Sequence, residues 1–251
     1  MIKSFLELNE NEKILALEFI KENENSDLSL EQIQKEVLGK ICNYGEGVLF
    51  YLDEDEIKGK ISVILEVANK LKTIYINKVI CSTFDKKVLQ GLIDEAHVLA
   101  NKYKAKKVLL GIRNEGLLNL CGQLELKKAY SSFNMVLNNR GKISDVLDKV
   151  KLSNKNDNED YFIVLYKNEK IGFLNTTIND TKAFFDIGLI KEYRGKGYGK
   201  KILETAIQFL TEKQVEEICL TVIEKNNIAY EMYKKRGFEV YNKLSDWIEL
   251  I

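Results

Sequence analysis

The chain has 251 residues, 45% of them hydrophobic, which is enough for one large core or two small ones. Lys and Arg (38) balance Asp and Glu (38), so no global charge draws the protein to nucleic acid or to an anionic membrane, and any electrostatic argument has to be local. No apolar run approaches the roughly 18 residues needed to span a bilayer, and the N-terminal MIKSFLELNENEK lacks the apolar core of a secretion signal, so a cytoplasmic protein is expected.

In chain order, residues 8–21 and 29–41 carry helical spacing of Leu, Ile, Ala and Val. Strand-like runs follow at 47–52, 57–65 and 72–80. An amphipathic helix comes next, with Val88, Leu89, Leu92, Ile93, Ala96 and Leu99 on one face. Residues 106–112 read as strand, 114–124 as a short helix and 129–137 as strand; the polar stretch 152–160 reads as a long loop. Strands are then expected at 161–166, 170–178 and 182–190, a helix at 197–212, a strand at 216–222, a helix at 226–237 ending on Gly237, and strand character over 238–250.

The same order of elements thus occurs twice. Leu89 aligns with Leu203 and Asn114 with Asn226 after a small change in loop length, which pairs Cys121 with Tyr233 and Leu126 with Phe238. The expected fold is α/β: two domains in tandem, residues 1–139 and 140–251, each a mixed central sheet flanked by helices. The four cysteines, Cys42, Cys81, Cys121 and Cys219, form no CxxC pair and read as buried thiols of a reducing compartment. The single histidine, His97, lies in a helix-like stretch and reads as structural, so no metal site is expected.

One stretch stands apart. IGLIKEYRGKGYGKKIL has four glycines, and it places three of them (Gly195, Gly197 and Gly199) and five basic side chains where a strand hands over to a helix. Such a turn exposes unpaired N–H groups at the positive end of the helix dipole, which suits phosphate or pyrophosphate. Gly197 and Gly199 have no Cβ to hold an anion away, and Arg194, Lys196 and Lys200 add charge at the rim. The spacing fits neither a Walker A loop nor a dinucleotide fingerprint.

Here the sequence resembles the GNAT superfamily of acyl-CoA-dependent N-acetyltransferases. Arg194, Gly197 and Gly199 match that family's cofactor motif, and IGLI lies where its central strand carries a bulge. Asn226, Ala229, Met232, Tyr233, Gly237 and Phe238 match its downstream pattern. The likeness covers about residues 160–240; the first half follows it in element order alone, with weak similarity in RNEGLLNLCGQLEL.

The resemblance implies a transferase that uses acetyl-CoA as co-substrate. The amides of Arg194, Gly195, Lys196, Gly197, Tyr198 and Gly199, with Lys200 beside them, would hold its pyrophosphate. The pantetheine arm would run along Ile187, Gly188 and Leu189, where a bulge opens a slot beside strand 216–222. Asn226 would hold the arm or cap its helix. Tyr233 would protonate the departing thiolate, and a main-chain N–H near Leu189 would steady the oxyanion. The family's glutamate base maps onto Ala183 and Thr221, with Asp186 and Glu224 shifted from those positions; no base is assigned, and ordered waters or an amine of low pKa would serve.

In the first repeat CSTFDKK replaces the glycines, so Asp85 would repel a pyrophosphate, and Cys121 replaces the tyrosine. That copy is expected to bind no acyl-CoA. The function expected is acetyl transfer to a primary amine by direct attack in a ternary complex, with a non-catalytic acyl-CoA sensor as the alternative. The acceptor is expected to be a small-molecule amine or a peptide; neither nucleic acid nor a membrane is expected as a partner, and a homodimer is left open.

Overall fold

The computed structural model of the protein describes residues 1–40, 47–54, 56–68, 71–82, 84–138, 141, 150–154 and 161–251. In chain order its elements are β1 (Ile2–Ser4), α1 (Glu10–Asn23), α2 (Leu30–Lys40), β2 (Val48–Asp53), β3 (Glu56–Ala68), β4 (Leu71–Cys81), α3 (Lys86–Tyr103), β5 (Lys107–Ile112), α4 (Glu115–Gln123), β6 (Lys128–Leu137), β7 (Val150–Asn154), β8 (Tyr161–Tyr166), β9 (Glu169–Asn179), β10 (Lys182–Leu189), α5 (Tyr198–Glu212), β11 (Glu217–Ile223), α6 (Asn227–Arg236) and β12 (Glu239–Glu249). They form two compact units: Met1–Tyr130 together with Ser245–Ile251, and Ser131–Leu244. The sequence division at 139/140 lies outside the described residues, as does Cys42.

In the first unit the strands lie in the order β1-β2-β3-β4-β5-β12. All neighbours are antiparallel except β4 and β5, which run parallel through Thr73–Ile76 and Lys107–Leu110. The period-2 alternation of β2 decides its faces: Val48, Phe50 and Leu52 meet α1 and α2, while Leu49 and Tyr51 belong to the core under α3. The apolar stripe of α3, Val88 to Ala100, closes that second core.

The final strand of this unit comes from the end of the chain. Asp246–Glu249 pair with Leu109–Ile112, and Ile248 is fully buried among the first unit's residues. Trp247 packs edge-on to Tyr75 and against the ring of Tyr130. β6 does the converse, since its Ser132–Leu137 pair with Ile218–Ile223 of β11 in the second unit. Order along the chain therefore does not decide which sheet a strand completes.

An ion cluster sits where α1 ends. Lys60 Nζ and Lys78 Nζ each lie 2.8 Å from one oxygen of Glu24, and the Lys60 side chain is only 4% exposed. Burial pushes the Glu24 carboxyl up, but the charges and hydrogen bonds of Lys60 and Lys78 outweigh it and hold the group at about 2.

In the second unit the order is β6-β11-β10-β9-β8-β7. β7, β8, β9 and β10 form an antiparallel meander. β7 was not expected, because the sequence reading places the loop 152–160 over part of it. Its five residues are too short and polar to show a period of their own, and β8 supplies the ladder, with Val150 opposite Tyr166 and Asn154 opposite Phe162. α5 lays Ile202, Leu203, Ala206, Ile207 and Leu210 on a core built from Val164, Ile171, Ala183, Phe185, Ile218, Leu220 and Val222. Among the described residues no helix is long and apolar enough to cross a membrane.

Two outcomes follow for stability. Ile248→Ala should cost about 2–5 kcal/mol and speed hydrogen exchange in β5, although the two positions are far apart in sequence; unchanged exchange there would show that β12 does not hold the first unit. Because the Glu24 pKa is lower folded than unfolded, its contribution is complete above about pH 4.5 and is lost as pH falls toward about 2. Glu24→Gln should remove that acid-dependent part and destabilise the protein at neutral pH by about 3 kcal/mol, read by urea denaturation, because it removes the negative charge that Lys60 and Lys78 share.

Candidate active site

The strand β10 defines one wall. It keeps unbroken register with β9 from Lys182 opposite Asn179 to Leu189 opposite Gly172, yet pairs with β11 only over Lys182–Phe184 and Glu217–Cys219. Beyond Phe184 the two parallel strands are no longer paired, which leaves a slot between them. The bulge expected in β10 is absent from its ladder with β9. Two glycines allow a close approach in its place: a Cβ on Gly172 would come within 2.1 Å of the Gly188 carbonyl oxygen, and one on Gly188 within 2.2 Å of the Phe173 ring.

Main-chain direction follows from alternation. The Ile190 N–H donates to the Ile171 carbonyl of β9 at 2.9 Å. The Leu189 N–H, one residue earlier, therefore points away from β9, toward the side that β11 has vacated.

After Leu189 the chain makes a short 3-10 turn, Lys191–Tyr193, and enters α5 through Arg194, Gly195, Lys196 and Gly197. Gly195 and Gly197 both adopt the left-handed region, at φ +75° and +79°. Gly197 is the N-cap of α5 and supplies no side-chain hydrogen bond. Four other helices are capped by their own side chains: α1 by Asn9, α3 by Asp85, α4 by Asn114 and α6 by Asn226. The first-turn N–H groups of α5 are thus left bare, with open space beside Gly195 and Gly197.

The turn is braced from outside. Arg194 Nε donates to the Leu189 carbonyl at 3.1 Å, and Tyr193 donates its hydroxyl proton to Glu169 at 2.7 Å. Tyr198 packs against Tyr193 and Tyr166, with ring centroids 5.7 and 5.1 Å apart. Lys196 lies over Tyr193 and Lys201 over Tyr166 and Tyr198, so the basic side chains are stacked on the rings.

The helix α6 forms the other wall. Its Met232 lies beside Gly199, as does Leu189 of β10, which brings strand end, phosphate-type turn and α6 together. Arg236 binds Glu204 of α5 at 2.7 Å, an ion pair that fixes the two helices. Between them runs a groove of about 820 Å³ that includes Lys200, Met232 and Lys235.

Tyr233 is 8% exposed and packs edge-on to Phe238. Burial, and then the negative charge of Asp186, push its phenol up to about 12. The Asn226 side chain caps α6, accepting the Ala229 N–H at 3.3 Å. Of the shifted carboxylates, Glu224 accepts the Ser131 N–H at 3.1 Å. The Thr221 hydroxyl donates to Asn134 at 2.8 Å, and Ala183 is buried in the core. Sequence reasoning had no signal for the tyrosine brace or the Glu204–Arg236 pair, since each joins segments distant in sequence.

In the first unit the corresponding helix α3 starts at Asp85, whose carboxylate accepts the Lys87 N–H at 2.7 Å. Cys121 is fully buried, and burial pushes its thiol up to about 11. Among the described residues no cluster of His, Cys, Asp and Glu could hold a metal ion.

Residues 127–238 match the model of the Acetyltransferase (GNAT) family. The chain is 36% identical over 76 residues to a [ribosomal protein bS18]-alanine N-acetyltransferase of Haemophilus influenzae, a match covering 30% of this chain and 51% of that protein. It is 32% identical over 71 residues to a mycothiol acetyltransferase of Corynebacterium aurimucosum, covering 27% and 23%. The match thus spans between about a quarter and half of these relatives' length. The fold is similar to that of a tandem GNAT protein from the clavulanic acid biosynthesis pathway, with a TM-score of 0.54 and 12% identity over 80% of this chain and 81% of that one.

Gly197→Ala forces a Cβ into the left-handed region. It should cost about 1–2 kcal/mol in urea denaturation even though nothing crowds the site. A neutral result would mean that the turn can leave φ +79° without loss.

Proposed function

We propose that the second unit is an acetyl-CoA-dependent N-acetyltransferase that modifies a primary amine by direct attack in a ternary complex. The observation that carries this reading is the bare, glycine-lined N-terminus of α5 lying at the end of a strand that has parted from its neighbour. A diphosphate satisfies the N–H groups that no side chain caps, and the helix dipole and Lys200 favour its charge. The open space beside Gly197 leaves room for its oxygens. Because the Arg194 N–H is bonded to the Lys191 carbonyl, the donors are those that follow it in the turn. Arg194 itself braces the turn through Leu189.

When bound, the co-substrate supplies a thioester carbonyl. Ile187, Gly188 and Leu189 form the edge along which its arm lies, and the outward Leu189 N–H is placed to hold the carbonyl oxygen as charge develops. Tyr233 hydrogen-bonds the departing sulfur. Asn226 organises the start of α6 and so sets the Tyr233 position.

The first unit acts as scaffold. Its Asp85 carboxylate already occupies the place of an anion at the start of α3, and Cys121 is a fully buried thiol where the second repeat has Tyr233. Cys121 and Cys219 are free and buried, which suits a reducing cytoplasm.

Calorimetry should give one acetyl-CoA per chain, and thiol release against a panel of amines should show consumption. Saturable binding with no thiol release would establish a sensor instead. Tyr233→Phe should lower kcat by about a hundredfold and leave acetyl-CoA affinity within about twofold; full activity in that variant would remove Tyr233 from the chemistry.

A further inference from the structure

The strand β9 carries an extra residue. Val164 of β8 lies opposite Gly172 and Leu165 opposite Lys170, so Ile171 is left over and the strand bulges there. The phase of its side chains shifts with it: Ile171 and Leu174 both enter the core under α5, although strict alternation would put them on opposite faces. The bulge faces the end of β10, with Gly172 opposite Leu189 and the Ile171 carbonyl accepting the Ile190 N–H.

Gly188 is held there from two sides. A Cβ on Gly172 would overlap the Gly188 carbonyl oxygen, and a Cβ on Gly188 itself would overlap the Phe173 ring. Phe173 is backed in turn by Tyr161, whose ring is stacked on it with centroids 6.0 Å apart. The Gly188 carbonyl and the Leu189 N–H are the two ends of one planar, trans peptide group. A contact that fixes the carbonyl on the β9 side therefore fixes the direction of the N–H on the slot side.

The first unit has the same bulge without the same approach. Tyr51 lies opposite Gly59 and Leu52 opposite Ile57, which leaves Lys58 over. A Cβ on Gly59 would meet the Val88 side chain of α3 at 2.5 Å, much as one on Gly172 would meet Ile202 of α5 at 2.9 Å. Its nearest main-chain atom, the Ile80 oxygen, stays 3.2 Å away. Bulge and helix contact thus belong to both repeats, whereas the strand pressed onto the glycine belongs to the second.

We propose that Gly172 and Phe173 are positioning residues that act through Gly188 to aim the Leu189 N–H at the thioester carbonyl. This deepens the acetyltransferase reading and rests on it. A donor misplaced by about 1 Å costs on the order of a hundredfold in rate, so the aim needs a rigid support. The pyrophosphate end is held by other contacts, Tyr193 on Glu169 and Tyr198 on its neighbouring rings, so aim and grip are separable.

The test uses the intact chain and acetyl-CoA isotopically labelled at the thioester carbonyl, read by infrared difference spectroscopy. In the wild-type chain the carbonyl stretch of bound acetyl-CoA should fall below that of the free thioester, as a hydrogen bond from Leu189 requires. In Gly172→Ala the stretch should return toward the free value while the acetyl-CoA Kd stays within about threefold. Phe173→Ala, at a half-buried position, should lose part of the same shift, and it decides alone if Gly172→Ala does not fold. Adding Ile202→Val to Gly172→Ala removes the crowded methyl of α5; it should recover urea stability and leave the carbonyl shift lost. Recovery of both would reduce Gly172 to core packing and overturn the proposal. So would a shift unchanged in the single variants, or a wild-type chain that binds acetyl-CoA with its carbonyl at the free frequency. A wild-type chain that binds no acetyl-CoA overturns the acetyltransferase reading itself.

Discussion

The N–H groups in the first turn of α5 have no acceptor supplied by the helix or by a capping side chain, and the second unit is arranged around that deficit. Leaving a helix without its cap costs about 1 kcal/mol. Placing two residues at φ near +75° favours glycine, which loses more conformational freedom on folding than any other residue. Neither cost brings any gain to the fold. Arg194 on Leu189, Tyr193 on Glu169 and the tilted and edge-on contacts of Tyr198 with Tyr166 and Tyr193 hold the turn in this state. The Glu204–Arg236 pair fixes α6 beside it, so the bare amides, the end of β10 and Tyr233 keep one geometry.

The first unit shows what the same layout looks like with the deficit filled. Its α3 follows β4 and precedes a parallel β5, as α5 follows β10 and precedes β11. The difference is a few side chains. Asp85 brings its own anion to the helix start, and a buried thiol stands where the repeat has a phenol. Its Glu24 carboxylate lies between Lys60 and Lys78. A carboxylate paired with two ammonium groups is spent on stability, and on the proposed reading that is the work of a scaffold.

Much of this was legible in the sequence, for physical reasons that differ by residue. The helix faces of α3 and α5 are written in spacing, and the glycine turn is written in composition, because its left-handed backbone favours glycine. The exchange of β6 and β12 was not legible. A strand's own pattern says that one face is buried, but its hydrogen-bond partner is chosen by the whole sheet. β7 was missed for the same reason. Asn226 shows a third case: the sequence allowed it to cap α6 or to reach the slot, and the 3.3 Å bond to Ala229 shows it capping.

The proton inventory of the proposed site is tighter than its residue types suggest. A phenol at its ordinary pKa near 10 is almost matched to a thiol near 8.5, but Tyr233 lies at about 12. Passing its proton outright to a thiolate is then uphill by about 4–5 kcal/mol. The phenol therefore cannot act as a proton store that empties before it refills. On the proposed reading it receives a proton from the attacking nitrogen as it gives one to sulfur. Burial is the first cause of its raised pKa and the Asp186 charge the second.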